Sequence, residues 1–144
     1  MTAFNPYLQR LDEEIESAAP TKLISVLYRT LCERIGSARQ ALQAGQIRER
    51  AALISQAIAI VGELSQSLNP EADPHLAERL RQLYSYLIER LLEANAQQVA
   101  QPLDDALAVA RVLHEGWSGI DATNAAFTGY EHAEPTERHL SYCG

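Results

Sequence analysis

Residues 73–95 read DPHLAERLRQLYSYLIERLLEAN, and this stretch decides the fold class. Leu76, Leu80, Leu83, Leu87 and Leu91 recur at spacings of three and four, which puts them on one face of a helix. Tyr84, Ile88 and Leu92 flank that face. Asp73 followed by Pro74 is a start signal. The aspartate can cap a first-turn N–H, and proline is tolerated where the N–H has no intrahelical partner. The helix is expected to run from Asp73-Pro74 to about Asn95.

Three more segments carry the same period. From about Pro20 to Gln43, the seam is Ile24, Tyr28, Leu31, Ile35, Ala38 and Leu42, widened by Leu23 and Leu27. Gly45 then supplies a left-handed stop. From about Gln46 to Leu68, one seam is Ile47, Ala51, Ile54, Ile58 and Val61. A second seam, Leu53, Ala57, Ile60 and Leu64, is rotated by roughly 100°. That segment is apolar on more than one face, so it is either central in the core or keeps a seam for a partner. The last starts at Pro102, with Asp104 and Asp105 near the positive helix end and a seam of Leu103, Leu107, Ala110, Leu113 and Trp117. The six prolines, at 6, 20, 70, 74, 102 and 135, all lie outside the periodic runs, and there is almost no strand signal. Similar helices joined by short connections pack as neighbours running in opposite directions. The expected fold is an all-α, antiparallel up-down four-helix bundle.

The chain of 144 residues then divides into a bundle at 20–120 and two end segments. Residues 1–19 hold Phe4, Leu8, Leu11 and Ile15 at helical spacing after an Asn5-Pro6 start, a short amphipathic helix that must dock or fray. Residues 121–144 show no period and read as a disordered tail.

Composition narrows the function. Nineteen acids against twelve bases give a net charge of −7, which disfavours nucleic acid and anionic membranes. No apolar run approaches the roughly 20 residues of a membrane span. The first seven residues have neither a basic region nor an apolar signal core, so the expected location is the cytoplasm. Cys32 and Cys143 make no disulfide framework; they read as a buried thiol and a tail residue. A di-iron bundle needs Glu-x-x-His on two helices, and that motif is absent. A phosphotransfer site wants a basic residue beside an exposed helical histidine; His114 is followed by Glu115, Gly116 and Trp117 with no lysine near, His75 falls in a first helical turn, and both read as surface histidines. His132, His139 and Cys143 match no zinc spacing. Phosphate loops and nucleophile elbows are missing as well. The expectation is a protein that is not an enzyme and uses no cofactor.

Surplus apolar surface is what remains. Gly36 and Gly62 sit inside helices at a cost of about 1 kcal/mol each relative to alanine. Two readings stay open: tight packing within the bundle, or a groove for an incoming helix.

The segment Leu83-Tyr84-Ser85-Tyr86-Leu87 through Arg90-Leu91 to Ala94-Asn95 resembles the third helix of the flagellar secretion chaperones of the FliS type. Residues 57–64 resemble that family's second helix, residues 20–28 its first, and Asn5-Pro6-Tyr7 its N-terminal tyrosine segment. The likeness covers about Asn5 to Ile120 in order. It departs at Arg29-Thr30, at Ser85 and at Ala72-Asp73-Pro74, where the family favours acidic or glycine residues.

The resemblance implies a cytoplasmic export chaperone. Such proteins bind the C-terminal segment of flagellin, block premature polymerisation and deliver the subunit to the export gate. On that footing the expected contacts are Tyr7, Leu11, Ile54, Ile58, Tyr84 and Ile88. Phe4, Tyr7, Leu8 and Leu11 are expected to cover part of the groove when cargo is absent. The alternative is a scaffold module that forms a homodimer through the second seam of helix two.

Overall fold

A computed structural model describes residues 20–118, with side chains from 23 to 117. The expected N-terminal helix and C-terminal tail lie outside the described residues. Four helices run in sequence: α1 Pro20–Gln43, α2 Ile47–Gln66, α3 Pro74–Gln97 and α4 Gln101–Ser118. Each of α1 and α3 packs against both α2 and α4, so the four form a closed ring around one core. At 24 residues, α1 and α3 are each about 36 Å long.

The connections are built as their residues dictate. Gly45 takes φ 73°, its N–H donates to the Leu42 carbonyl and that of Gln46 to the Ala41 carbonyl. This pair of bonds satisfies two end carbonyls of α1 and turns the chain in three residues. Asp73 Oδ1 accepts from the Leu76 N–H at 3.1 Å, with Pro74 opening α3. The third connection uses Gln98 at φ 58°, whose N–H donates to the Ala94 carbonyl. Nothing in the sequence marks Gln98 for that role, since glycine or asparagine usually fills it.

The core follows the seams, with one rotation. On α1, Ile24, Tyr28, Leu31, Ile35 and Ala38 are buried as expected. On α2 both seams converge: Leu53, Ile54, Ala57, Ile60, Val61 and Leu64 all lie inside. The helix is therefore central, and its expected spare seam shrinks to exposed Ile47 and half-buried Ile58. On α3 the buried stripe is Leu80, Tyr84, Leu87, Leu91 and Ala94. Tyr84 takes the place expected for Leu83, which turns outward by one residue, about 100°.

The glycine expectation needs correction in one respect. Apart from the backbone of its own helix and its chain neighbours, a Cβ placed on Gly36 or Gly62 meets no described atom within 4 Å. Close packing within the bundle is therefore not their role. Both have helical backbone, so alanine at either position should stabilise the protein by about 0.5–1 kcal/mol. Urea unfolding midpoints of Gly36→Ala and Gly62→Ala measure this, and a lowered midpoint would contradict the open space seen at these sites.

Candidate functional site

One end of the bundle is held by polar contacts between helices. Arg50, almost fully buried on α2, donates from Nε to Asn95 Oδ1 on α3 at 3.1 Å. Arg90 Nη1 donates to Asp105 Oδ2 at 3.1 Å, joining α3 to α4, and Arg90 also pairs with Glu93. Arg39 on α1 binds Asp104 through both carboxylate oxygens, with Nη2 to Oδ2 at 3.3 Å. That hydrogen bond, with the guanidinium charge, holds the Asp104 carboxyl below the usual range. Its contribution to stability is thus present above the ordinary carboxylate pKa and fades in acid as pH falls through the lowered value. Asp104 and Asp105 were expected only to complement the α4 dipole; each also ties α4 to a neighbour.

These contacts fix the register of the surface. Arg50 against Asn95, together with the short connection 67–73 at the other end, sets α2 antiparallel to α3. Ile58, eight residues along α2, therefore stands level with Leu87 and Ile88. Both isoleucines are half-buried and pack on the core from its edge. Leu92, 55% exposed, continues the same edge on α3. Exposed Ile47 on α2 and exposed Val99 after α3 extend it past the Arg50–Asn95 contact. Gly62, one turn beyond Ile58, leaves the far part of this edge open. The result is an apolar strip along the outer seam of α2 and α3. Leucine and isoleucine side chains at the i, i+3, i+4 spacing on two parallel ridges form the kind of surface that receives an amphipathic helix.

The expected contact residues divide into three groups. Ile58 and Ile88 both lie half-buried on this strip. Ile54 and Tyr84 are each 1% exposed and form the floor beneath it, with no surface to offer a partner. Tyr84 is held there by its hydroxyl, which shares a 2.6 Å hydrogen bond with the Tyr28 hydroxyl across the bundle. The two polar tips satisfy each other inside the core. Tyr7 and Leu11 lie outside the described residues. Ile47 stood in the seam that one reading kept for a partner, whereas Leu92 and Val99 were not named as surface groups from the sequence. The Leu91-Leu92 pair was a signal for Leu92, because two adjacent leucines on a helix cannot both face one core.

Little here resembles a chemical centre. Among the described residues no three His, Cys, Asp or Glu side chains converge as a metal site. Cys32 is half-buried, and burial pushes its thiol pKa up against the opposing charge of Arg111, which disfavours the reactive thiolate. No described helix is long and apolar enough to cross a membrane.

Comparison with known proteins agrees with the architecture. The family model described as flagellar protein FliS matches residues 3–124. The flagellar secretion chaperone FliSB of Pseudomonas aeruginosa is 37% identical over 121 residues, which span 83% of this chain and 96% of that protein. The flagellar secretion chaperone FliS of Salmonella typhimurium is 30% identical over 111 residues, 76% of this chain and 82% of that protein. Its counterpart in Vibrio cholerae is 27% identical over 110 residues, 76% and 81%.

Proposed function

Because this chain belongs to the FliS family of flagellar proteins, we propose that it is a cytoplasmic export chaperone whose cargo is the C-terminal segment of flagellin. The observation that carries the reading is the apolar strip of Ile47, Ile58, Ile88, Leu92 and Val99 along the α2–α3 edge of the bundle. An unpartnered apolar edge of this kind suits a segment that is amphipathic in its assembled form. Covering the cargo's apolar face withholds it from other subunits. Ordering that segment costs part of the interaction energy, so a large contact can still release its cargo to the export gate.

The rigid part of the device is the bundle. Arg50–Asn95, Arg39–Asp104 and Arg90–Asp105 hold the helix ends together, so the strip is formed before cargo arrives. In this proposal Ile58 and Ile88 make direct contact, and Ile54 and Tyr84 keep them in place from below. Tyr7 and Leu11 are proposed to shield the strip in the absence of cargo.

Calorimetric titration with the flagellin C-terminal segment tests the proposal. Saturable one-to-one binding with a large negative heat-capacity change is expected, because apolar burial gives that signature. Absence of binding at high micromolar concentration would overturn the cargo assignment. A dimer that persists unchanged on addition of the segment would favour the scaffold reading.

A further inference from the structure

A second apolar strip runs along the opposite flank of α3. Arg90 faces α4 through Asp105, and the residues four, seven and eleven positions before it are Tyr86, Leu83 and Arg79. The residues four, seven and eleven positions after Asp105 are Val109, Val112 and Gly116. These two rows lie side by side in the antiparallel α3–α4 pair. Val112 is 67% exposed and Leu83 is 37% exposed, and Tyr86 is exposed between them. A Cβ on Gly116 would meet nothing within 4 Å, so the row is open toward the α4 C-terminus. Arg79 closes that end and has no carboxylate partner among the described residues.

We propose that the chain's own segment 121–144 occupies this α3–α4 strip. Three observations favour that occupant over a cargo or a second copy. The first is position: α4 ends at Ser118, two residues past the open position at Gly116. From there the nine residues to Phe127 reach up to about 30 Å when extended, whereas Val112 lies only about 9 Å back along α4. The second is charge. Residues 121–144 hold four acids (Asp121, Glu131, Glu134 and Glu137) and one base, Arg138, a net charge of −3. The cation awaiting a partner at the entrance is Arg79. The third is apolar content in the right place. Phe127 and Tyr130 stand close to the start of the segment, where they can lie on Val112, Leu83 and Tyr86 while Glu131 and Glu134 face Arg79. Residues 125–144 also lie beyond the span shared with the FliS family, so this cover belongs to this chain rather than to the fold. The segment then hides the second strip and leaves the α2–α3 strip as the surface open to cargo.

The test uses the full chain with a benzoylphenylalanine photoprobe in place of Phe127, and a second variant with the probe at Tyr130. Irradiation should give intramolecular cross-links to peptides holding residues 83–86 or 109–112, in monomer and independent of protein concentration. Val112→Asp, at an exposed position that leaves the fold intact, should cut the yield by about tenfold. Arg79→Glu should lower it as well, and added salt should weaken the parent's cross-link, since exposed charges are screened. Cross-linked dimers whose yield rises with concentration would assign the strip to a second copy and overturn the proposal. Cross-links confined to α1 or α2, or none from either probe position with helical circular dichroism unchanged, would overturn it too.

Discussion

Leu92→Glu should weaken binding of the flagellin segment by about 30-fold or more, with the bundle still folded. Leu92 is more than half exposed, so the change removes no core contact and buries no charge in the free protein. In the complex the same carboxylate would sit on an apolar ridge between Ile88 and Val99, under the incoming helix. A central interface residue that is fully desolvated on binding contributes about 2 kcal/mol or more, which corresponds to that factor. Val112→Glu is the control, since it places an equal charge on the α3–α4 strip at a still more exposed position. It should leave cargo affinity within about twofold, because a surface change away from the contact is usually worth less than about 0.5 kcal/mol. Titration calorimetry of the two variants decides between the strips. If Val112→Glu abolishes binding and Leu92→Glu does not, the cargo lies on the other flank of α3. Ile88→Ala complements the pair, since it removes apolar contact without adding charge.

How much of this surface could be read from the sequence depends on how helices encode their faces. The α1 seam was legible as far as Ala38, because its apolar residues recur at 24, 28, 31, 35 and 38; beyond that, buried Ala41 takes the place expected for Leu42, and buried Val26 lies off the seam. On α3 the pattern was double. Leu80 and Leu87 fit either a seam through Leu83 or one through Tyr84, and the two differ by one residue. Packing settles it, because the Tyr84 hydroxyl finds Tyr28 across the core, while Leu83 would have brought nothing to satisfy that phenol. Its rotation places Leu83 on the α4 flank and, with it, creates the second strip. The polar contacts were out of reach for a different reason. Arg39 and Asp104 are 65 residues apart, and Arg50 and Asn95 are 45 apart. Helical period says which way each points but not which partner the fold brings opposite. Asn95 shows the limit well: it stood in the sequence as part of a family-like Ala-Asn pair, and only the bundle shows that it accepts a hydrogen bond from a buried arginine.

The Tyr28–Tyr84 bond predicts a large stability effect for the removal of a single oxygen. Tyr84→Phe leaves the Tyr28 hydroxyl buried with no partner, and Tyr28→Phe does the same to Tyr84. Each single variant should lose about 1–3 kcal/mol, the cost of a buried polar group stripped of its bond. The double variant removes both hydroxyls at once and replaces them with nearly the same apolar shape, so it should lie close to the parent. Urea unfolding of the four proteins therefore gives a coupling energy opposite in sign to the single losses, and additive losses would show that the hydroxyls do not depend on each other. Alkaline pH probes the same pair. Burial pushes the Tyr28 phenol up to about 12, partly opposed by its hydrogen bond with Tyr84. Burial raises Tyr84 as well, with the neighbouring Tyr28 adding to it. In the unfolded chain both ionise near 10. The folded state thus keeps protons that the unfolded state gives up, and its advantage is complete below pH 10. Between pH 10 and 12 it should decline by about 1.4 kcal/mol per pH unit for each tyrosine. The Tyr28→Phe/Tyr84→Phe double variant should lack that part of the slope. If parent and double variant fall in parallel from pH 10 to 12, the phenols are not held neutral in the core, and the diagonal bond that turns Leu83 outward would lose its support.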